Sequence, residues 1–325
     1  MRPLVVFTDG SIRREANDLL APTCDVRTLD AYPSEQALVD ACVDADAILA
    51  RLGTVTRRVI ESAPRLRIVA RHGVGVDAVD LDAATEHGVV VTTTGSENAA
   101  AVAEYTFALL LALVRHVVAA DAGMRAGQWE RAPLVGAELD GRTLGVVGYG
   151  AIGRRVARQA LGFGMRVVAF DVAFGAGAAA PEPGVAMATL DELLAQSDVV
   201  SLHTRLTANN THLIGAATLE RMKPGAYLVN TARGELVDET ALIAALEHGR
   251  LRGAALDTYE QEPLAPDNPL RRHPNVLLSP HVAGQTDAAL VRVAIAAAQC
   301  ILDELAGRTP AFVYNPAAYA NRPRR

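Results

Sequence analysis

Three charged residues stand where predicted strands of the second half of the chain end: Arg233 in NTARGELVD, Glu262 in LDTYEQEP and His281 in LSPHVAGQ. Side chains at the carboxyl ends of parallel strands converge on the crevice of an open sheet. An Arg, a Glu and a His gathered there are the parts for handling a 2-oxo acid. Arg233 offers a planar fork to a carboxylate or to the reacting carbonyl, which a lysine does not reproduce. A protonated His281 can donate to a carbonyl oxygen as hydride reaches carbon 2, a role worth about 10² to 10⁴ in rate. Glu262 can accept from the other ring nitrogen, orient the imidazole and favour its charged form. A surface ion pair and a structural histidine are the alternatives, and three strand-end contexts together argue against them.

Hydride needs a carrier, and the stretch 144–171 supplies its cradle. A short apolar run leads into GYGAIG, followed by an amphipathic segment and a second apolar run that stops on Asp171. This predicts a strand, a tight turn, a helix and a strand. Gly148 lets the turn close, Gly150 admits a pyrophosphate to the backbone, and Gly153 lets the helix pack on the strand. The helix N-terminus then directs its free N–H groups at the phosphates. Asp171 can accept both hydroxyls of the adenosine ribose, and its charge repels a 2′-phosphate. Val172, Ala173 and Phe174 offer no cation in compensation, so NAD is expected rather than NADP.

The elements that must position these groups are legible as alternating strands and helices. Strands are expected at 4–7, 25–29, 47–50, 67–70 and 89–92, with Ser34 and Thr56 as helix N-caps. After Asp171 further strands are expected at 199–202, 226–230, 253–256 and 276–278. Long helices are expected over 97–124 and 286–306, a flexible loop over 173–183, and a loose basic tail after the last helix. The fold class is therefore α/β, with two doubly wound parallel sheets. The expected domains are a discontinuous substrate domain, 1–98 with 286–325, and an inserted NAD-binding Rossmann domain, 99–285. The substrate is expected in the cleft between them.

The chain has 325 residues and a net charge of −6, which gives no general attraction to nucleic acid or anionic membranes. Its longest apolar run, 107–114, is well short of the roughly 20 residues of a membrane span. Cys24, Cys42 and Cys300 are widely spaced, as expected of reduced thiols in a cytoplasmic protein, and no metal-ligand spacing occurs.

GVGVD at 73–77, the GYGAIG fingerprint, NTARGELVDE, LDTYEQEP and PHVAG together resemble the D-isomer-specific 2-hydroxyacid dehydrogenases, in the same order and over nearly the whole chain. The resemblance implies a discontinuous two-domain fold, with a flavodoxin-like substrate domain, and a homodimer associating through the cofactor domains. It implies that Arg233, Glu262 and His281 are catalytic. It implies a carboxylate-holding turn at Val74 and Gly75. It places Ala151 and Ile152 at the pyrophosphate, and His203 on the adenine or pyrophosphate side. Thr204, and Thr231 and Ala232 beside Arg233, join the cofactor site, with Asp257 near the nicotinamide carboxamide. The family commonly has a proline where this chain has Arg205, which loosens that turn.

Within the family the chain looks most like a short D-3-phosphoglycerate dehydrogenase. Arg51, in ARLGTVT, matches the arginine that meets a distal phosphate, and His72 would add a second positive group at low pH. The implied substrate pair is 3-phosphoglycerate and 3-phosphohydroxypyruvate, which would serve serine biosynthesis. Reduction of hydroxypyruvate, glyoxylate or another anionic 2-oxo acid is the alternative, and an NAD-sensing corepressor the more distant one. No room is expected for a regulatory serine-binding module.

Overall fold

A computed structural model describes residues 2–175, 177–180 and 182–322. The chain divides into two compact units, Met1–Asn98 with Gln285–Arg325, and Ala99–Gly284.

The first unit is built on β1 (Leu4–Phe7), β2 (Asp25–Thr28), β3 (Ala47–Ala50), β4 (Ile68–Arg71) and β5 (Val90–Thr92). They form one parallel sheet in the order β2-β1-β3-β4-β5. A parallel sheet is covered on both faces, so its strands are apolar without alternation. β3 is Ala-Ile-Leu-Ala with every residue buried. Ser34, Thr56 and Asp80 each accept from the amide three residues on and start the helices between strands. The helix Asp287–Leu305 lays Ala294, Ala297, Ala298, Cys300 and Ile301 against residues of β1, β3 and β4.

The segment after that helix is not a loose tail. The Phe312 carbonyl accepts from the Thr93 amide at 3.1 Å, and the Tyr314 amide donates to the Val91 carbonyl at 2.8 Å. Asn315 accepts from the Val91 amide at 2.7 Å and donates to the Val89 carbonyl at 3.0 Å. Beyond it, Arg322 pairs with buried Glu304 at 2.8 Å, opposite Arg67 at 3.0 Å. The physical reason is β5 itself, an edge strand whose open N–H and C=O groups need partners. The last of the expected tail, 323–325, lies outside the described residues.

The second unit carries β6 (Thr143–Val147), β7 (Arg166–Phe170), β8 (Val185–Met187), β9 (Val199–Leu202), β10 (Ala226–Asn230), β11 (Leu251–Leu256) and β12 (Val276–Leu278). Their order is β12-β11-β10-β9-β6-β7-β8, all parallel. The order reverses between β6 and β9, the switch point where such sheets collect ligands. Two apolar layers, one around Leu228 and Leu256 and one around Val146 and Val229, cover the sheet's faces.

The long helix expected over 97–124 is two helices, Ala99–Val114 and Val117–Arg125, bent by 63°. The Val114 carbonyl accepts from the Ala137 amide at 2.9 Å, and a Cβ on Gly136 would stand 2.5 Å from that same oxygen. A returning strand of chain thus takes the bond that would have continued the helix, and His116 breaks it at φ 55°. No single helix among the described residues is long and apolar enough to cross a membrane.

Candidate active site

The glycine turn after β6 is forced by what surrounds it. Gly148 has φ 95°, and a Cβ there would lie 2.5 Å from the Thr204 amide nitrogen. On Gly153 it would lie 2.0 Å from the Gly148 oxygen, so helix and turn meet backbone to backbone. Gly150 differs, because nothing lies within 4 Å of the Cβ it lacks. It is also the N-cap of the helix Ala151–Gly162 and supplies no side-chain cap, so the amides of the first turn are left for a ligand. Open space beside an uncapped helix N-terminus, with Ala151 exposed and Ile152 half-buried, fits the pyrophosphate of NAD.

Asp171, immediately after β7, is aimed by two backbone amides, from Tyr149 at 2.7 Å and Ala173 at 2.9 Å. The following loop is tethered rather than free. The Tyr149 hydroxyl donates to Glu182 at 2.5 Å, and Phe174 stands edge-on to the Tyr149 ring at 6.2 Å. Ala176 and Pro181 of that loop lie outside the described residues.

Across the switch point, His203 shares a hydrogen with Ser201 through Nε2 at 2.8 Å. Burial lowers its pKa to about 3, so the ring is neutral and not a cation. Its buried Nδ1 has no protein partner. Arg205 is exposed, but the turn that lost its proline is pinned by the Asn210 side chain, which donates to the Arg205 carbonyl at 2.7 Å. The Thr231 hydroxyl meets that of Thr106 at 3.0 Å.

The turn carrying Arg233 is closed by Asn230, a fully buried residue that composition and motif gave no reason to single out. Its side chain accepts from the Ala232 amide at 3.0 Å and donates to the Arg233 carbonyl at 2.7 Å. Glu262 and His281 meet directly: Nδ1 to Oε2 is 2.7 Å. The second Glu262 oxygen accepts from the Tyr259 amide at 3.1 Å. Burial pushes the Glu262 carboxyl up, but the His281 bond and charge, the Tyr259 amide and the Arg233 charge outweigh it and hold the pKa below its usual value. A carboxylate fixed on Nδ1 leaves Nε2 as the imidazole atom able to face a substrate.

His281 has a left-handed backbone, φ 53°, which a non-glycine residue adopts only when its surroundings impose it. Buried Asp257 imposes it, accepting from the Ser279 hydroxyl at 2.7 Å and from the Val282 and Ala283 amides at 2.9 and 2.8 Å. The Tyr259 hydroxyl adds a bond to the Ser279 carbonyl at 2.8 Å.

In the first unit, Arg71 shapes the Val74–Gly75 turn. Its guanidinium donates to the Gly75 carbonyl at 2.9 Å and to the carbonyls of Ala50 and Arg51 at 2.9 and 3.0 Å. Arg51 forms an ion pair with Asp9, Nη1 to Oδ2 3.0 Å. His72 does not provide a positive group at ordinary pH, because burial and the nearby charge of Arg51 lower its pKa to about 4. Among the described residues no group of three or more His, Cys, Asp or Glu side chains could hold a metal ion.

Residues 107–283 match the family model of the D-isomer specific 2-hydroxyacid dehydrogenase NAD binding domain. A glyoxylate reductase of Korarchaeum cryptofilum is 41% identical over 299 residues, 90% of each chain. A D-3-phosphoglycerate dehydrogenase of Synechocystis is 39% identical over 303 residues, 93% of this chain but 54% of that one. Among solved structures, a glyoxylate reductase from Paecilomyes thermophila superposes with a TM-score of 0.85 at 30% identity, covering 96% of this chain and 98% of that one.

Proposed function

Because the chain belongs to the D-isomer specific 2-hydroxyacid dehydrogenase family and is an NAD-dependent oxidoreductase of that kind, we propose that it reduces a small, unphosphorylated 2-oxo acid such as glyoxylate or hydroxypyruvate. The observation that carries the reaction is the 2.7 Å contact of His281 with Glu262. NADH, when bound, supplies the hydride that adds to carbon 2. His281 holds a proton on Nε2 and gives it to the carbonyl oxygen, leaving a neutral ring whose Nδ1 remains bonded to Glu262. Arg233 holds the carboxylate or the carbonyl through its fork, and Val74 and Gly75 present a turn suited to the carboxylate. Running the same steps backwards, His281 takes the proton from the hydroxy acid.

Support for an unphosphorylated acid comes from Arg51, whose charge is already engaged by Asp9. A second reading, 3-phosphohydroxypyruvate as substrate in serine biosynthesis, is supported by the relatives that bear the D-3-phosphoglycerate dehydrogenase name, at 38–41% identity. NADH oxidation with glyoxylate, hydroxypyruvate and 3-phosphohydroxypyruvate separates the two, and NADPH in place of NADH should serve at least about tenfold worse because Asp171 repels a 2′-phosphate. Turnover of none of these acids would remove the reading.

The proposed enzyme is a homodimer. Its support is the helix Val117–Arg125, which buries no residue and exposes Val117 and Met124, and the chain after it, which exposes Trp129 and Val135, each of the four more than half exposed. Surfaces of this kind mark association sites. Sedimentation should give twice the chain mass, and Trp129→Glu with Val118→Lys should give one; a monomeric parent protein would contradict the assignment. Three free, buried cysteines suit a reducing compartment such as the cytoplasm.

A further inference from the structure

We infer that Glu239 is a positioning residue for the reaction: with Glu260 it forms a reciprocal clasp that keeps the turn bearing Arg233 against the turn bearing Glu262. This deepens the reaction proposed above and rests on it.

Every part of the clasp belongs to the second unit. Glu239 opens the helix Glu239–Glu247, and the Asp238 side chain caps that helix by accepting from the Ala241 amide at 2.9 Å. The cap leaves the Glu239 amide, one of the free N–H groups of the first turn, to find a partner outside the helix. Glu260 supplies it: its Oε1 accepts from the Glu239 amide at 3.1 Å. Glu239 returns the bond, its own Oε1 accepting from the Glu260 amide at 2.9 Å. Both carboxylates have further partners. Asn268 donates to Glu239 Oε2 at 2.8 Å, and His212 Nε2 stands 3.0 Å from Glu260 Oε1. The His212 amide in turn donates at 2.8 Å to the carbonyl of Glu235, two residues after Arg233.

The two turns need such a tie. At Gly234 they meet backbone to backbone, where a Cβ would stand 2.4 Å from the Glu260 nitrogen. Contact of that kind limits how closely the turns approach and does nothing to stop them from separating. One hydrogen bond between them would act as a pivot. Two, running in opposite directions between the same pair of residues, resist both sliding and rotation, and a carboxylate acceptor makes each stronger than a bond between neutral groups. What they hold is the pair proposed to move the proton. Glu260 adjoins Tyr259, whose amide donates to Glu262 Oε1 at 3.1 Å, and Glu262 Oε2 holds His281 Nδ1 at 2.7 Å. A turn free to drift at Glu260 would carry Glu262 and His281 away from Arg233. Glu239 therefore acts through Glu262, without touching the substrate.

The test measures kcat for the 2-oxo acid that the parent enzyme reduces fastest, the dissociation constant of NADH and thermal unfolding. The proteins compared are the parent, Glu239→Ala, Glu260→Ala, the variant with both changes, and Glu239→Gln. Each single alanine variant should lower kcat about ten- to a hundredfold, as a misplacement approaching about 1 Å does, with NADH affinity unchanged. The double variant should fall no further than the lower of the two, because either loss opens the clasp. Glu239→Gln keeps an oxygen for the Glu260 amide and should recover kcat to within about threefold of the parent, the remainder reflecting a neutral bond in place of a charged one. A folded Glu239→Ala with undiminished kcat would overturn the inference. So would losses that multiply in the double variant, or a glutamine variant no better than the alanine one. Should Glu239→Ala not fold, a lowered kcat in Glu260→Ala and a retained one in Glu239→Gln support the clasp, and the reverse of either overturns it. A parent protein that reduces no 2-oxo acid would instead strike the reaction itself, and this inference with it.

Discussion

Replacing His281 by alanine should lower kcat for 2-oxo acid reduction by about 10² to 10⁴ while NADH binding, followed by nucleotide fluorescence, is retained. The expectation follows from how the ring is held. Glu262 engages Nδ1 at 2.7 Å, and Asp257 with Ser279, Val282 and Ala283 clamps the backbone in its left-handed state. An alanine at 281 leaves that clamp intact, so the loss is chemical and not a collapse of the loop. The Glu262 carboxyl, held below its usual range chiefly by its bond to His281 against the pull of burial, stays ionised at neutral pH. Its depressed value means that the pairing contributes fully above the ordinary carboxylate range and is lost only as pH falls through the lowered value. Retained activity in His281→Ala would assign the proton to another group.

Most of the architecture was written in patterns that local physics makes visible. Parallel strands buried on both faces read as short apolar runs, and Ser34 and Thr56 cap helices by chemistry that acts within three residues. The glycine fingerprint is legible because its spacing is fixed locally: Gly153 meets the Gly148 carbonyl within the motif, and Gly150 leaves open the space beside the helix N-terminus. What stayed hidden depended on chain far away in sequence. β8 has three residues in a stretch rich in Gly, Ala and Pro, too few to show a period. The break at His116 is caused by Gly136 and Ala137 returning to Val114, and the docking of 312–315 by the open edge of β5. Nothing at either place announces the partner.

The candidate site divides in the same way. Arg233, Glu262 and His281 could be singled out by charge and strand-end position, but no spacing shows that the last two touch at 2.7 Å. Asn230 and Ser279 looked like ordinary polar residues until their partners were known. His72 differs, since burial and the neighbouring charge of Arg51, which its place in the sequence does not reveal, move the charge expected at low pH down to about pH 4.

Gly234→Ala should reduce kcat by about a hundredfold, the cost of a 1 Å misplacement of reacting groups, and lower stability by about 1–3 kcal/mol. A Cβ on Gly234 would stand 1.8 Å from the Tyr259 carbonyl carbon, 2.0 Å from its oxygen and 2.4 Å from the Glu260 nitrogen. These are backbone atoms, which cannot swing aside as the end of a flexible side chain can. The turn bearing Arg233 and the turn bearing Glu262 therefore meet backbone to backbone at Gly234, and one methyl group must drive them apart. Tyr259 passes the displacement on, because its amide holds Glu262 and its hydroxyl bonds the carbonyls of Leu256 and Ser279, the latter two residues before His281. All three charged groups then move relative to one another, whereas the glycine turn at 148–153 follows β6 and is not touched. Thermal unfolding and steady-state kinetics on the same preparation distinguish the effects. A folded variant whose kcat falls while NADH affinity holds would support the coupling of the two turns. Unchanged kcat in a folded variant would show that the site tolerates their separation.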